Sequence, residues 1–253
     1  MWWSTFEATA AGSYTNTMAI GALQTDIGNN PAAATAIYRA LATGPSSYST
    51  GFESPFTVGA VNGQQGWFGS SATGAVISAA LPAAGTQHLR ITSTTSTTTS
   101  VTSISPTQPV TTAAYSVLSA KLRITRNTNG SSFDLNPQDP VAGVVSTLVR
   151  FDKAVAQQIQ IVNWSTGFYE PTGATWPTAT YFDISMAFDR VGGTVRVCLN
   201  GASIYNGPNA VSSPYIGNAV AKHVAASGTT AGNTMDVDDM VIANTDTPPV
   251  CTP

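Results

Sequence analysis

Charge is scarce in this 253-residue chain: Asp, Glu, Lys and Arg together make up 9% of it, against roughly 25% in an ordinary soluble domain. Such a surface has to be built largely from Ser, Thr, Asn, Gln, Gly and Ala. It lacks the scattered like charges that keep crowded cytoplasmic proteins apart, so the composition suits a chain that works outside the cell or packed in an assembly. The net charge is −3, and Lys and Arg form no cluster. Nucleic acid, whose binding needs several phosphates neutralised at once, is therefore excluded as a partner, and so is an anionic membrane surface. No run reaches the ~18–20 apolar residues of a membrane span. The two cysteines, Cys198 and Cys251, are too few for a disulfide framework. Two free thiols are the simpler expectation; a single bridge tying the C-terminal tail to the body is the alternative.

What is present begins with a distinct first segment. Residues 1–50 open on three large aromatics, Trp2, Trp3 and Phe6, with little local sequence to bury them. After a polar, small-residue stretch, NNPAAATAIYRALATG predicts one short helix. Asn30 suits the N-cap, Pro31 the first helical position and Gly44 the C-terminal cap. Ala33, Ile37 and Leu41 fall on one stripe. A helix this short is marginal alone in water and needs a surface to pack on. Either it caps an open end of the body, or it is a docking arm for a neighbouring subunit.

From Gly51 the pattern changes to short strands separated by turn residues, with hydrophobic content (42% of the chain) enough for one large all-β domain. In YFDISMAFD, Phe182, Ile184, Met186 and Phe188 fall on one side and Asp183, Ser185 and Asp189 on the other. Val195, Val197 and Leu199 alternate with Arg196 in the next strand. KLRITR (121–126) and HLRIT (88–92) turn Leu122, Ile124, Leu89 and Ile91 inward and the basic residues outward. This period of two marks strands with one buried face. Gly192-Gly193 and Asn200-Gly201 are hairpin turn signals. The Thr/Ser-rich run from Thr92 to Ser103 is expected to be a strand followed by a loop.

Two stretches anchor the domain: GFESPFTVGAVNGQQGW (51–67) and DVDDMVIAN (236–244), expected to be the first and last strands lying side by side. Together with LVRFD (148–152), IQIVN (159–163) and FDISMAFDRVGGTVRVCLNGASIY, they resemble the concanavalin A-like lectin/glucanase jelly rolls, including laminin-G-like and carbohydrate-binding relatives. The resemblance covers roughly residues 51–245. It implies an all-β, two-sheet antiparallel jelly-roll sandwich behind the N-terminal arm (1–50), with a tail over 246–253. The fold hosts lectins, hydrolases and structural modules alike, so it does not fix a function.

The hydrolases of that group carry paired carboxylates two residues apart on a strand, the spacing retaining chemistry needs. That motif is missing: Asp183 and Asp189 are six apart and Glu53 is followed by Ser54-Pro55. The two histidines, His88 and His223, lack a Ser-His-Asp context. The chain is therefore expected not to be an enzyme. The resemblance also implies a possible structural Ca²⁺ on Glu53, Asp238 and Asp239, since such relatives often hold Ca²⁺ between the first and last strands and the ion takes six to eight oxygens. The alternative is that these acids protect an exposed sheet edge, with the adjacent Asp pair forming a bulge. Trp164, Tyr169, Trp176 and Tyr181 offer aromatic faces for sugar rings, or core packing for the hairpin. The N-terminus has no secretory signal. The expectation is a non-catalytic virion protein, a phage capsid decoration or fibre subunit. It would be docked by its arm on virion subunits or copies of itself, with a virion or extracellular location. A glycan-binding module is the alternative, and a glucanase-like hydrolase a third.

Overall fold

The computed structural model describes residues 46–95, 98–125, 132–140, 144–152, 157–163, 166–208, 215–225 and 231–251. The short helix expected near residues 30–44 and the arm residues Trp2, Trp3, Phe6, Ile37 and Leu41 lie outside them.

Seventeen strands, numbered along the chain, form two antiparallel sheets among the described residues. The nine-stranded sheet runs in the order β15 (Ala202–Pro208), β14 (Thr194–Leu199), β13 (Phe182–Asp189), β7 (Tyr115–Thr125), β17 (Thr234–Thr245), β5 (His88–Thr92), β4 (Ala75–Ser78), β2 (Gly59–Ala60). Its ninth strand, β1 (Ser46–Thr50), lies against the second half of β17. The eight-stranded sheet runs β12 (Phe168–Thr175), β11 (Gln158–Asn163), β10 (Val149–Asp152), β8 (Ser132–Asp139), β16 (Asn218–Val224), β6 (Val101–Ile104), β3 (Phe68–Gly69), with β9 (Val144–Val145) on β8. The two form a sandwich, as the alternating patterns predicted, of the jelly-roll kind that the resemblance implied.

Period-two alternation builds the core. Leu118, Leu122 and Ile124 of β7, Phe188 of β13 and Val237 of β17 point inward from one sheet. They meet Phe133, Leu135, Phe151, Ile159 and Ile161 of the other, and every one of these side chains is fully buried. The Asn200-Gly201 turn has φ of 47° and 77°, the doubly positive geometry of the tight hairpin.

Four expectations need correction. The first strand is not 51–67 but Ser46–Thr50, assigned by sequence to the arm; it pairs with β17 from Ser46↔Asn244 to Thr50↔Met240. Residues 51–67 are mostly loop, with a single 3₁₀ turn at Gln64–Gly66. In the Thr/Ser run the loop comes first and the strand, β6, follows. The acids of β17 are not at an edge, because β17 lies between β7 on one side and β5 and β1 on the other. The bulge itself is there: register slips between Asp238 and Val241, and Asp239 has φ 45°. Finally, Cys198 and Cys251 are joined in a disulfide rather than free.

Candidate functional site: the outer face of the eight-stranded sheet

Strands β16, β8, β10, β11 and β12 place a polar set on the side of their sheet that faces away from the core. In β8, Phe133 and Leu135 point inward, so Asp134, Asn136 and Gln138 point outward. Register then sets Lys222 and Arg150 on either side of Asp134, Gln160 beside Arg150, and Asn218 beside Gln138. Tyr169, opposite Val162, closes the row on β12.

The centre of this row is rigid. Arg150 donates from Nε to Asp134 Oδ1 at 2.9 Å and from Nη2 to Oδ2 at 3.0 Å, the bidentate geometry that only a guanidinium supplies. Its plane lies over the Tyr169 ring, 4.1 Å from the centroid, a cation–π distance. Burial works against the Arg150 charge, but the Asp134 hydrogen bond and charge prevail and hold its pKa above the usual value. Burial lifts the Tyr169 phenol to about 12, with the Asp134 charge adding and Arg150 opposing. The row thus keeps a fixed cation and a neutral phenol through the physiological range. Asp134, Asn136, Gln160 and Asn218 are all buried in spite of facing outward, so their positions are set by packing. Lys222 forms no ion pair among the described residues. The groups that reach solvent are the half-buried Arg150, Lys222 and Gln138 beside the Tyr169 ring, standing at strand spacing over buried carboxylate and amide groups.

The four aromatics expected to form a sugar platform do not share a surface. Tyr169 is on this face. Trp176 is buried, packed edge-on against Phe151 with ring centroids 5.7 Å apart; it presents no face to a ligand and belongs to the core. Tyr181 lies over the outer face of the other sheet, where Arg123 stacks on it at 5.1 Å. Trp164 falls outside the described residues.

The three acids expected to hold Ca²⁺ are otherwise engaged. Glu53 accepts from the Thr86 amide (2.7 Å), the Thr86 hydroxyl (2.6 Å) and the Gln87 amide (3.0 Å), which depress its pKa. Asp238 accepts from the amides of Ala83 (2.8 Å), Ala84 (3.3 Å) and Asp239 (2.9 Å); burial nonetheless raises its pKa. The bulge turns Asp239 toward Lys121 at 3.7 Å. Among the described residues no three His, Cys, Asp or Glu side chains converge on one point. The acids hold a loop, residues 80–87, against the sheet; Gly85 is required in it because a Cβ there would come 2.2 Å from Glu53 Oε1, at φ +61°.

Sequence reasoning passed over the charge cluster beneath that loop. Asp236, fully buried, meets His88 at 3.1 Å, Arg90 at 2.7 Å and Arg123 at 2.5 Å. Arg90 and Arg123 each also donate to the Ala80 carbonyl, and the Tyr181 hydroxyl donates to that of Leu81 at 3.1 Å. Burial pushes the Asp236 pKa up, but hydrogen bonds from His88, Arg90 and Arg123 outweigh it and the net shift is downward. The Asp236 carboxylate and both guanidinium groups are engaged with one another and with the Ala80 carbonyl, so the role of the cluster is to pin the loop.

Asp134, Asn136, Arg150, Gln160 and Lys222 were also missed as a group. Their signal is faint: each is one outward residue in an alternating strand, and only the pairing order unites them.

No family model matches the chain, and no curated protein matches it in sequence. Solved structures do. The chain is similar to a sialidase, with a TM-score of 0.61 and 9% identity over 79% of this chain. It is similar to the cellulose-induced protein Cip1, with a TM-score of 0.55 and 18% identity over 81% of this chain and 99% of that one. A carbohydrate esterase of the Shiga toxin-encoding bacteriophage phi24B gives 0.52 and 12% over 80% of this chain and 100% of that one. The chain spans about a fifth of the sialidase, 19% of its length. At these identities the likeness is one of fold alone, a jelly-roll β-sandwich.

Proposed function

We propose that this chain is a non-catalytic glycan-binding module, and that the outer face of the eight-stranded sheet is its saccharide surface. One observation carries the reading: the Asp134–Arg150–Tyr169 stack, flanked by Lys222 and the amides of Asn136, Gln138, Gln160 and Asn218. Sugars present many hydroxyls at fixed angles, and a site that recognises them needs several oriented donors and acceptors with an aromatic face beside them. Strands hold such groups more rigidly than loops do. No carboxylate pair at retaining spacing lies in the row, which favours binding over hydrolysis. The fold likeness to a sialidase and a carbohydrate esterase is in keeping with this reading. The disulfide favours an oxidising location, extracellular or on a released particle.

A glycan array with the full chain is the test. Tyr169→Ala and Lys222→Ala, both at partly exposed positions, should each weaken binding to the best glycan by ~10-fold or more, a loss of about 1.4 kcal/mol, with unchanged melting behaviour. Binding that survives both substitutions intact would remove this face from consideration.

The low charge also favours a second role, a virion surface subunit whose arm, residues 1–45, docks on other virion subunits or copies of itself. Solution mass with and without the arm tests that role: an oligomer that becomes monomeric on truncation supports it, and a monomer in both forms opposes it.

A further inference from the structure

The C-terminal tail is fastened across the outer face of the nine-stranded sheet. Asp246 accepts from the Ala114 amide at 3.0 Å, Arg196 donates to the Pro249 carbonyl, and Cys251 is bonded to Cys198 of β14. Between these ties Pro248 and Pro249 form one wall of a hollow of ≈ 250 Å³. Its floor is low because Ala187 stands in β13 between larger neighbours: register places Val117 on one side of it and Arg196 on the other. Tyr115, Asp189 and Thr194 occupy the next rung of the sheet, and Asn206 lies beside Arg196 on β15.

The polar groups around the hollow are not used up on each other. Asp189 takes the amides of Val191 and Gly192 on Oδ1, and neither oxygen pairs with Arg196. The Arg196 Nε is buried without a hydrogen-bond partner. A buried orphan donor on a guanidinium is costly, and a ligand oxygen would satisfy it. The volume falls below the ~300–1,000 Å³ of sites for drug-sized ligands, so the occupant is small.

We infer that this hollow is a second saccharide subsite, taking a single neutral sugar ring. The ring's C–H face would rest against the prolines and Tyr115, and its hydroxyls would reach Asp189, Arg196 and Asn206. One acid and one base together leave no net charge to attract or reject an ionic ligand, and the mixed donor–acceptor set matches vicinal hydroxyls. The inference rests on the glycan-binding reading but on a different face, so one molecule would hold two saccharides and could crosslink branched glycans. The disulfide makes the wall, so occupancy depends on oxidation state.

The test is a titration of the full oxidised chain with neutral monosaccharides (glucose, galactose, mannose, N-acetylglucosamine), followed by NMR shifts on a labelled sample. Shifts at Tyr115, Arg196 and Asn206 are expected with at least one sugar. Ala187→Leu, which fills the floor, and Cys251→Ser, which frees the wall, should each weaken them ~10-fold or more, while Tyr169→Ala should leave them unchanged. Shifts confined to the eight-stranded sheet would overturn the second subsite and leave the first intact. Shifts confined to the hollow would do the reverse. If Ala187→Leu lowers the melting temperature, Asn206→Ala, on the edge strand, supplies the same readout; binding unaffected by Asn206→Ala and Cys251→Ser overturns the inference.

Discussion

Two charge clusters, one around Asp236 on the nine-stranded sheet and one around Asp134 on the eight-stranded sheet, carry similar residues and put them to opposite uses. On the nine-stranded sheet, Asp236, Arg90, Arg123 and Asp238 are spent on one another and on the backbone of loop 80–87. On the eight-stranded sheet, Asp134 and Arg150 also pair, but they stack on an aromatic ring and stand in a row with Lys222 and four amides. The first arrangement is turned inward on the loop it holds. The second leaves hydrogen-bonding capacity for something else. Counting ion pairs does not separate them; what each charge is left to do does.

The comparison can be broken by mutation. Asp236→Ala strands two guanidinium groups in a buried site, and loss of one partner from such a pair costs about 3–5 kcal/mol. Denaturant unfolding of the variant should show a loss of that size, with glycan binding by the folded fraction unchanged. Asp134→Asn keeps the shape of the side chain and a hydrogen-bond acceptor for Arg150, so a smaller loss of about 1–2 kcal/mol is expected, accompanied by weakened binding. Equal effects on both properties would abolish the distinction between the faces.

Acid sharpens it further. His223 points into the core beside Phe133, with neither ring nitrogen bonded among the described residues, and burial lowers its pKa to about 4. Unfolded, it takes up its proton near 6.5. Between those values the unfolded state binds more protons, so stability falls as pH drops from about 6.5 to 4, by up to roughly 3 kcal/mol. Asp236 has the opposite relation to its unfolded value. Its pKa is lowered by folding, so its contribution is present above the ordinary aspartate range and is lost only as pH falls through the depressed folded value. Stability measured against pH should therefore decline in two stages, and His223→Leu should remove the upper one alone. A decline that persists in that window would place its source elsewhere.

The smallest expected effect is at Tyr181. Removing its hydroxyl in Tyr181→Phe deletes the bond to the Leu81 carbonyl and should cost about 1 kcal/mol, with the Arg123 stacking retained. Faster amide exchange confined to residues 80–87 would be the confirming observation.

Alternation made the sandwich legible: the inward sets of β13 and β14 stand in the order the sequence gives them, and the Asp238–Asp239 pair marked its bulge. Ser46–Thr50 was not legible as a strand, because SSYST carries only Tyr48 as a large residue to distinguish its faces. The cysteine bridge spans 53 residues, a separation that by itself favours neither pairing nor free thiols. The candidate surface was hardest to see. Asp134 and Arg150 are 16 residues apart and Lys222 lies far beyond both; the pairing of β10 with β8 brings the first two together, and the interleaving of β16 between β8 and β6 adds the third. Trp176 stayed open between sugar platform and core packing for a related reason, since an aromatic in a polar stretch has no periodic context to show which way it points.

The position of β17 has a consequence for synthesis. The strand that stands last in chain order within the sheet is the one that β7, β5 and β1 all require as a neighbour. Until residues 234–245 have left the ribosome, the nine-stranded sheet is three unjoined pieces, β15-β14-β13-β7, β5-β4-β2 and β1 alone, and its most local hairpins cannot bury their inner faces. Folding of the sheet is held back until β17 has been made, and contacts this distant in sequence form slowly. A polypeptide cut short before Thr234 would expose the edges of β5 and β7, the kind of surface on which chains pair with one another.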